Sequence, residues 1–455
     1  MKTFNVILAM EKNNGIGNNG TIPWKSKIDL QFFKNKTSTT TLPGRMNIVI
    51  MGRKTLESLP NNYLPNRINY VVTRNKKAKY ENAFVFNSFN ESINQALESG
   101  NDVWVIGGAE IYEQAFRHKN IGKIFVTKIN KHYECDTKVT LPQIKMLSSS
   151  TIIDNDLELE FFEFEPILNV EQQYLKLIEK VKYNGELRQT RNAKTFSVFD
   201  ETISFDLQNG FPLLTTKKMF WKGIVEELLF FIRGDTNSKN LEEKGVNIWK
   251  GNTSQQFIND CGLQYEEGDM GPMYGWNWRH YGADYIDCNT DYKGKGFDQL
   301  KKVIFEIKND PNSRRILMTD FNPSIAHKGV LYPCHSLLLQ FYVRDNYLDV
   351  KMYQRSVDTM LGLPFNIAST ALLLTIISKI TNRTPGKVTI TMGDCHIYDQ
   401  HLSAINTQLD RTPYRLPTVK IPDFTSIEEV EVSTLKDYIV EDYIYHPTIK
   451  ASMVA

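Results

Sequence analysis

A cysteine and a histidine stand directly before an apolar run in the segment Leu331-Tyr-Pro-Cys-His-Ser-Leu-Leu-Leu-Gln-Phe-Tyr-Val343. A free cysteine is most often a small buried hydrophobic residue, yet Cys334 at the start of a strand could also be a nucleophile. Because a thiol is only slightly ionised at pH 7, a nucleophilic cysteine requires positive charge close to it. The rest of the sequence must therefore supply cations for Cys334.

Arginines are the cations that the sequence offers. Arg314 and Arg315 are adjacent in the stretch that precedes Leu317, and Arg355 lies in Tyr353-Gln-Arg-Ser-Val-Asp358. Paired arginines are more often solvated or salt-bridged than functional. Arg355, however, stands in a segment that reads as a buried strand, where a guanidinium requires an anion. Several arginines and one thiol predict a site for a phosphate-bearing electrophile.

Three features near the N-terminus could bind or protonate a ligand. Ile22-Pro-Trp-Lys-Ser-Lys-Ile-Asp29 places an acid in a first helical turn, where it could equally be a partner for the helix dipole. Val105-Ile-Gly-Gly-Ala-Glu-Ile-Tyr112 reads as strand, glycine turn and helix, which lets backbone amides approach phosphate. Ile50-Met-Gly-Arg-Lys-Thr55 places two cations at another such turn.

Alternating short apolar runs and helical patterns organise the first 165 residues. The strands are predicted at Phe4–Ala9, Ile48–Met51, Asn69–Thr73, Phe84–Phe86, Val103–Ile106, Ile124–Ile129 and Leu157–Pro166. The helices are predicted at Lys27–Lys34, Arg53–Leu59, Glu91–Ser99 and Ala109–Arg117. This alternation is typical of an α/β domain with a largely parallel sheet and flanking helices.

A second block of different pattern follows. Helical spacing begins at Tyr174, so we expect a first domain at residues 1–165, a short linker at 166–172 and a second domain at 173–455. The second domain mixes predicted helices (Gly223–Arg233, Phe297–Asn309, Asn366–Lys379) with a predicted hairpin of Leu337–Val343 and Tyr347–Tyr353. Hairpins beside buried helices predict an α+β domain.

The composition limits the class of protein. The 455 residues are 41% hydrophobic and 23% charged with a net charge of +2, which argues against nucleic acid as the main partner. Five scattered cysteines argue against a disulfide framework and favour a cytoplasmic setting. We find no signal peptide, and no apolar run that approaches the roughly 18 residues needed to span a bilayer. We therefore expect a protein with no membrane and no DNA partner.

The first 165 residues resemble dihydrofolate reductase along nearly their whole length. The matching residues are Ala9, Gly15-Ile-Gly-Asn-Asn-Gly-Thr21, Pro23-Trp24, Asp29, Phe33, Gly52-Arg53-Lys-Thr55, Leu64-Pro65, Arg67, Gly107-Gly108 and Thr127. The resemblance implies that NADPH delivers hydride to the pteridine ring of dihydrofolate, while Asp29 binds the ring and helps to protonate its imine nitrogen. Burial in an apolar pocket suits that role because it raises the pKa of an acid.

The same resemblance implies two sets of binding residues. The folate would contact Ile7, Ile22, Trp24, Asp29, Leu30, Phe33, Arg67 (through the glutamate α-carboxylate) and Thr127. NADPH would contact Ala9, Gly15, Ile16, Gly17, Asn18, Asn19, Gly20, Thr21, Gly52, Arg53, Lys54, Thr55, Thr73, Arg74, Ile106, Gly107, Gly108, Ala109, Glu110, Ile111 and Tyr112. Arg53 and Arg74 would hold the 2′-phosphate that distinguishes NADPH from NADH.

Residues from about Tyr174 onward resemble thymidylate synthase. The resemblance is carried by the Pro-Cys-His and Gln-Arg-Ser-x-Asp motifs, by Leu361-Gly-Leu-Pro-Phe-Asn-Ile-Ala-Ser369 and by Gly393-Asp-Cys-His-Ile-Tyr398. It implies reductive methylation of dUMP by 5,10-methylenetetrahydrofolate, which yields dTMP and dihydrofolate. Cys334 would add to carbon 6 of the uracil, and the enolate so formed at carbon 5 would attack the one-carbon unit of the folate.

The synthase resemblance also implies roles for other residues and a homodimer whose active sites borrow Arg314 and Arg315 from the partner subunit. The catalytic set would be Cys334, Glu227, Tyr274 and Asp358, with Glu227 moving protons through water. The dUMP set would be Arg191, Arg314, Arg315, His335, Gln354, Arg355, Ser356, Asp358, Asn366, His396 and Tyr398. Trp249, Asp358 and the C-terminal Lys450–Ala455, including Ala455, would contact the folate.

Several alternatives remain open at the level of sequence. Asn366 offers both a donor and an acceptor to uracil, whereas an aspartate would suit cytosine, so a dCMP hydroxymethylase is a rival for the second domain. A catalytically silent folate-binding or RNA-binding protein is another rival. Asp394, Cys395, His396 and His401 could be metal ligands, although their spacing does not favour it and we expect no metal. Arg188 competes with Arg191 as the phosphate arginine. The two blocks in this order resemble a bifunctional dihydrofolate reductase–thymidylate synthase.

Overall fold

The computed structural model describes residues 2–190 and 193–453. The chain divides into two compact units: the first runs to Leu168 and also includes Asp410–Pro413, and the second begins at Asn169 and contains the remainder. The predicted linker at 166–172 spans this change. A strand ends at Pro166, and the next helix begins at Val170 behind a capping box in which Asn169 and Gln172 exchange hydrogen bonds.

The first unit is a twisted sheet with helices on its faces. Its elements are β1 Phe4–Glu11, β2 Gly15–Gly17, α1 Lys27–Ser38, β3 Ile48–Gly52, α2 Arg53–Ser58, β4 Ile68–Val72, β5 Phe84–Phe86, α3 Phe89–Glu98, β6 Val103–Gly107, α4 Ala109–Arg117, β7 Ile121–Ile129, β8 Thr137–Lys138, β9 Ile144–Asp154 and β10 Leu157–Pro166. The main sheet has the order β5-β4-β3-β6-β1-β7-β10-β9, and β2 pairs with β8. The strands from β5 to β7 in this order are parallel, and β10 and β9 are antiparallel. The α/β prediction is therefore confirmed.

The parallel strands place several of the predicted binding residues at one edge. Met51 of β3 pairs with Gly107 of the parallel strand β6. Strand β1 runs parallel to β6, and β4 runs parallel to β3. The carboxyl ends of parallel strands share one edge of a sheet, and ligands of open α/β sheets bind outside that edge. The residues that follow β1, β3, β4 and β6 therefore lie where a nucleotide cofactor is expected.

The second unit packs helices against a twisted sheet. Its elements are α5 Val170–Asn184, β11 Glu186–Gln189, β12 Lys194–Asp206, α6 Trp221–Arg233, α7 Lys239–Glu242, α8 Gln255–Asp260, α9 Gly275–His280, α10 Gln299–Asn309, β13 Leu317–Met318, β14 Leu338–Arg344, β15 Tyr347–Asp358, α11 Gly362–Ile380, β16 Thr384–Tyr398, α12 Leu402–Leu409, β17 Thr418–Lys420, α13 Ile427–Val432 and β18 Ile439–Glu441. The sheet order is β11-β12-β16-β15-β14-β13, and β17 pairs with β18. Short 3-10 turns lie at Pro60–Asn62, Leu207–Asn209, Ala326–Lys328, Asp399–His401 and Leu435–Asp437. The predicted hairpin is present as the antiparallel pair β14–β15.

Helix α11 has 19 residues and is, by length and composition alone, long and apolar enough to cross a membrane. The expectation that no apolar run approaches this length was therefore wrong. The helix lies inside the second unit, where most of it is buried and side chains such as Ile367, Ala371 and Leu374 belong to the main hydrophobic cluster. Burial of this extent is the behaviour of a core helix.

Candidate active sites

The first candidate site surrounds the carboxyl of Asp29. Helix α1 begins directly after Ser26, whose hydroxyl accepts a hydrogen bond from the Asp29 amide at 3.1 Å and so fixes the first turn. Burial raises the pKa of Asp29, and a hydrogen bond from the Thr127 side chain opposes that rise. The direction agrees with the expectation for an acid that delivers a proton near neutrality.

The paired glycines lie beside a buried tyrosine that links them to Asp29. The Tyr112 hydroxyl donates to the backbone oxygen of Ile7 at 2.8 Å, and the negative charge of Asp29 contributes to the raised pKa of Tyr112. A Cβ on Gly107 would meet the Tyr112 ring at 3.0 Å, and a Cβ on Gly108 would meet the Thr55 hydroxyl at 3.3 Å. The φ of +116° at Gly107 favours glycine there, whereas a side chain at Gly108 would require a small shift of the Thr55 hydroxyl. Because these positions carry no side chain, a phosphate could approach the backbone amides of the turn.

The predicted folate residues divide into a buried wall and an exposed apolar lip. Ile7, Trp24 and Thr127 are buried and Phe33 is half-buried, whereas Ile22 and Leu30 are 57% and 63% exposed. Exposed large aliphatic side chains at a predicted pocket are available to cover a bound ring.

Arg67 already has partners within the first unit. It is nearly buried and donates to the Thr37 hydroxyl at 2.8 Å and to the Pro65 carbonyl at 3.0 Å. Burial lowers the pKa of Arg67. These bonds hold the guanidinium at the end of α1, in the same part of the unit as the lip.

The predicted cofactor residues follow the carboxyl ends of the parallel strands. They are placed as follows: Ala9 in β1, Gly15, Ile16 and Gly17 in β2, Asn18, Asn19, Gly20 and Thr21 in the loop after it, Gly52 at the end of β3, Arg53, Lys54 and Thr55 in α2, Thr73 and Arg74 after β4, Ile106 and Gly107 in β6, and Gly108 with Ala109, Glu110, Ile111 and Tyr112 at the start of α4. Arg53 pairs with Glu57 at 2.7 Å, and Arg74 lies 3.7 Å from Glu110 with 92% of its side chain exposed. Both guanidinium groups are therefore accessible to an anion.

A buried carboxylate fixes the loop that contains Gly15. Glu11 accepts from the amides of Asn13 at 2.8 Å and Gly15 at 2.9 Å, and it lies 3.2 Å from the ring of His132. Burial raises the pKa of Glu11, but these hydrogen bonds outweigh burial and lower it overall. The Asn19 amide also donates to Asp136 at 2.8 Å. The sequence interpretation missed Glu11, for which an acid ending an apolar strand was the available signal.

The second candidate site surrounds Cys334, which lies in the turn before β14. The sulfur is 3.5 Å from the hydroxyl oxygen of Tyr274, and the Cys334 amide donates to that oxygen at 3.4 Å. Tyr274 has a φ of +49°, a strained conformation for a non-glycine residue, and its ring stacks on His335 at 4.3 Å between centroids. Burial lowers the pKa of His335 to about 4, so this ring is neutral at pH 7.

In the single chain, the positive charge near the thiol does not outweigh the effect of burial. Burial raises the pKa of Cys334, and this effect exceeds the opposing contributions of the Tyr274 hydrogen bond and the Arg355 charge. The buried carboxyl of Asp320 contributes to the rise as well. Arg314 and Arg315 are exposed and do not figure among the groups that affect the thiol.

Arg355 is held against the cysteine turn by the backbone. Its Nε donates to the Pro333 carbonyl at 2.6 Å and its Nη2 donates to the Tyr332 carbonyl at 2.8 Å. The Arg355 amide donates in turn to the Cys334 carbonyl at 3.0 Å. The predicted guanidinium and thiol therefore meet at the junction of β15 and the turn, and half-buried Ser356 is next in sequence.

Glu227 is a buried acid on α6 with one aromatic partner. The indole Nε1 of Trp249 donates to its carboxyl at 2.8 Å. Burial raises the pKa of Glu227 to about 7, and the Trp249 hydrogen bond opposes the rise. A carboxyl of that pKa can both accept and donate a proton at neutral pH.

Asp358 ends β15 and accepts hydrogen bonds from the amides of Met360 at 2.8 Å and Leu361 at 3.3 Å. The neighbouring Lys217 donates to the Met360 carbonyl, and burial lowers its pKa to about 8 against the attraction of Asp358. The sequence interpretation did not single out Lys217. Its buried position appears only when α6 and α11 are packed together.

The predicted base-recognition amide has a buried partner. Gln354 donates from Nε2 to the Asn366 carbonyl oxygen at 2.9 Å, which orients the carboxamide of Asn366. His396 lies 2.9 Å from Asp394, and its ring contacts the Tyr398 ring at 5.1 Å. These residues are neighbours because β15 and β16 are parallel and pair Asp358 with His396.

The remaining predictions concern the phosphate arginine, the C-terminal residue and a possible metal site. Arg191 and Ala455 lie outside the described residues. Arg188, the rival of Arg191, is 53% exposed and pairs with Asp394 at 3.3 Å and with Glu186 at 3.6 Å. Within residues 2–190 and 193–453, no group of three His, Cys, Asp or Glu side chains could hold a metal ion.

Comparisons with known proteins cover both units. The thymidylate synthase family matches residues 172–455, and the dihydrofolate reductase family matches residues 3–158. The chain is 38% identical to a bifunctional dihydrofolate reductase-thymidylate synthase of Daucus carota, with 99% of this chain and 96% of the relative covered. It is 38% identical to one of Paramecium tetraurelia (99% of each covered) and 35% identical to one of Leishmania major (100% and 95%).

Proposed function

The chain belongs to the bifunctional dihydrofolate reductase–thymidylate synthase family, and we propose from that premise which side chains perform its two reactions. The second unit converts dUMP and 5,10-methylenetetrahydrofolate to dTMP and dihydrofolate, and the first unit reduces dihydrofolate with NADPH. The relatives do not favour a silent binding protein or a dCMP hydroxymethylase.

Cys334 is the nucleophile of the synthase. Its sulfur bonds to carbon 6 of the uracil, which places an enolate at carbon 5 for attack on the one-carbon unit, and the thiolate is later expelled. The 3.5 Å contact with Tyr274 is the observation that carries this assignment, because the neutral hydroxyl, whose pKa burial raises, can donate a hydrogen bond to a thiolate at that distance. Since burial raises the pKa of the thiol, the arginines that bind the dUMP phosphate must supply the positive charge that favours the thiolate.

Protonation in the synthase is assigned to Glu227. Its pKa of about 7 lets it donate and accept protons through water at the base, and the Trp249 indole orients it. Arg355, Ser356 and Arg191 bind the phosphate, and Asn366, held by Gln354, reads the uracil edge. Asp358 receives the folate ring, and His396 with Tyr398 binds the deoxyribose hydroxyl.

In the reductase, Asp29 binds the pterin and holds the proton for the imine nitrogen. NADPH, when bound, supplies the hydride. The turns at Gly52–Thr55 and Gly107–Gly108 bind its phosphates through backbone amides, and Arg53 and Arg74 pair with its 2′-phosphate. Ile22 and Leu30 cover the ring and exclude water.

A homodimer through the second unit is part of the proposal. Leu317, Leu338, Tyr342 and Tyr353 are 37–66% exposed, and their strand register places them on one face of the β13–β14–β15 sheet. A sheet face with exposed apolar side chains, interrupted by the Gln340–Lys351 pair and with Arg314 and Arg315 just before β13 in the chain, suits pairing with a second copy. The free thiols of the described chain support a reducing compartment, and we propose the cytoplasm.

Release of tritium from dUMP labelled at carbon 5 tests the proposal directly. We expect release that depends on methylenetetrahydrofolate, and with NADPH present a sustained reaction as dihydrofolate is reduced. Incubation with 5-fluoro-dUMP and the folate should give a covalent adduct that mass spectrometry locates on Cys334. Absence of the adduct would contradict the nucleophile, and NADPH oxidation without tritium release would contradict the synthase.

A further inference from the structure

A histidine that the proposed mechanism does not use lies between the folate-receiving acid and the C-terminal segment. His401 is buried, its Nε2 is 2.8 Å from the Ser452 carbonyl oxygen, and its Nδ1 is 4.0 Å from the Asp358 carboxylate. Because a carbonyl oxygen only accepts, Nε2 carries the proton in this contact. The ring is therefore bonded to the C-terminal backbone and lies next to the Asp358 carboxylate without a hydrogen bond to it.

The His401 ring is fixed on its other sides. It contacts the Tyr398 ring edge-on at 5.6 Å, and Nδ1 has no hydrogen-bond partner among the described residues. Asp358 is in turn fixed by the amides of Met360 and Leu361. A buried ring nitrogen without a partner is costly.

The C-terminal segment has few other anchors near Ser452. Ile449 and Ala451 are half-buried against the main hydrophobic cluster, whereas Lys450, Ser452 and Met453 are exposed. The apolar contacts fix how deeply the segment packs but leave it free to slide, because such contacts are not directional. The hydrogen bond from His401 to the backbone is directional and sets the register of the segment.

We propose that His401 is the positioning residue that registers the C-terminal segment against Asp358 and so closes the folate subsite of the synthase. This inference rests on the proposed function, since it assigns a role to the segment that covers the folate. It predicts that His401 acts on folate binding and tail closure and leaves dUMP binding unchanged.

Three variants separate the roles of the ring. His401→Gln keeps an amide donor near the Nε2 position, His401→Asn keeps one only near Nδ1, and His401→Phe keeps the ring without a donor. We expect the KM for methylenetetrahydrofolate to rise about fivefold to tenfold in His401→Phe and His401→Asn, as one lost hydrogen bond predicts, and to stay within about twofold in His401→Gln. The dUMP dissociation constant, measured by calorimetry, should not change in any variant.

Trypsin gives a second readout because it cleaves after the exposed Lys450 and releases residues 451–455. With dUMP and a non-reactive folate analogue bound, release should be faster in His401→Phe than in wild type and His401→Gln. In a chain truncated after Lys450, the His401→Phe substitution should no longer change the folate KM.

The outcomes are distinguishable from failure of the proposed function. If the wild-type chain makes no dTMP and no 5-fluoro-dUMP adduct, the proposed function fails. If wild type is active but the three variants share one folate KM and one rate of tryptic release, the inference is overturned. An undiminished effect in the truncated chain, or loss of dUMP binding in His401→Phe, would assign the ring a structural role and overturn it as well.

Discussion

Cys334→Ser tests the nucleophile with a small change in volume. The serine hydroxyl is not ionised beside Tyr274 and cannot replace the thiolate, so dTMP formation should fall to below about a thousandth of wild type. NADPH oxidation by dihydrofolate should be unchanged because Asp29 and its surroundings belong to the other unit. The matched control is Cys261→Ser, which replaces an exposed thiol and should keep both activities. Full synthase activity in Cys334→Ser would remove the assignment.

Asp29→Asn should cripple the reductase and spare the synthase. Burial raises the pKa of Asp29, so its proton is retained below that raised pKa and lost as the pH rises through it. The wild-type reductase rate should therefore decline with rising pH, whereas the small residual rate of Asp29→Asn should lack this titration. Initial rates of NADPH oxidation from pH 5 to pH 9 measure the difference. Equal loss of both activities would contradict separate sites.

Glu227→Gln separates catalysis from stability at the second acid. Burial raises the pKa of Glu227 from 4.5 to about 7, so the folded state prefers the protonated acid. The stability that this preference contributes is present below pH 4.5 and is lost as the pH rises through about 7. At pH 8 the neutral glutamine should therefore increase the free energy of unfolding by about 3 kcal/mol relative to wild type. Denaturant unfolding at pH 5 and pH 8 measures it.

The same substitution should abolish most synthase activity although it stabilises the fold, because glutamine cannot transfer a proton. The matched control is Glu243→Gln, which replaces an exposed acid and should change neither quantity. A Glu227→Gln variant with normal dTMP formation would contradict the proton-transfer role. If the free energies of unfolding of wild type and Glu227→Gln differed by the same amount at pH 5 and pH 8, the raised pKa would be contradicted.

At the scale of elements, the approach of α9 to α6 positions Tyr274. A Cβ on Gly275 would collide with the Phe231 carbonyl oxygen. Gly275→Ala should therefore push α9 away and separate the Tyr274 hydroxyl from Cys334, with a loss of about 3 kcal/mol in stability and a fall in synthase kcat. Gly251→Ala is the control, since nothing lies within 4 Å of its Cβ. The free energy of unfolding and the synthase kcat, measured on both variants, test whether the contact of α9 with α6 positions Tyr274.

The sequence predicted the elements whose patterns are strong and local. The helix expected at Gly223–Arg233 is α6, Trp221–Arg233, and the expected hairpin is β14–β15. The strand β9, Ile144–Asp154, escaped prediction because its side chains are exposed on both faces, which leaves no alternation of apolar and polar residues. Helix α11 begins at Gly362, earlier than expected, because Pro364 is tolerated in a first helical turn.

Candidate site residues could be proposed where they belong to a sequence motif. Their pKa values and conformations could not, because these depend on tertiary packing. Cys334, Asp29 and Asn366 were proposed as site residues from local sequence. The lowered pKa of Lys217, the positive φ of Tyr274 and the stacked His335 arise from contacts between segments far apart in the chain. Periodicity and composition carry no information about such contacts.

At the scale of the whole molecule, two active-site variants should restore each other if the homodimer shares its sites. One variant is Cys334→Ala, and the other is the double variant Arg314→Ala with Arg315→Ala. In a hybrid dimer, the intact Cys334 of the second variant would face the intact arginines of the first, so one of two sites works. Random exchange of subunits should then give about a quarter of wild-type synthase activity from two inactive proteins.

The two variants are unfolded together and refolded as a mixture, and dTMP formation is then measured. Each variant refolded alone is the control. The result decides between a site shared by two subunits and a site contained in one. A monomer at micromolar concentration by sedimentation would exclude the shared site outright. Activity in the arginine variant alone would show that Arg355 and its neighbours suffice for the phosphate. Restored activity would account for two arginines that are exposed in the single chain. It would also show that Arg314 and Arg315 of a second copy add to the positive charge that Arg355 of the same chain places near the thiol.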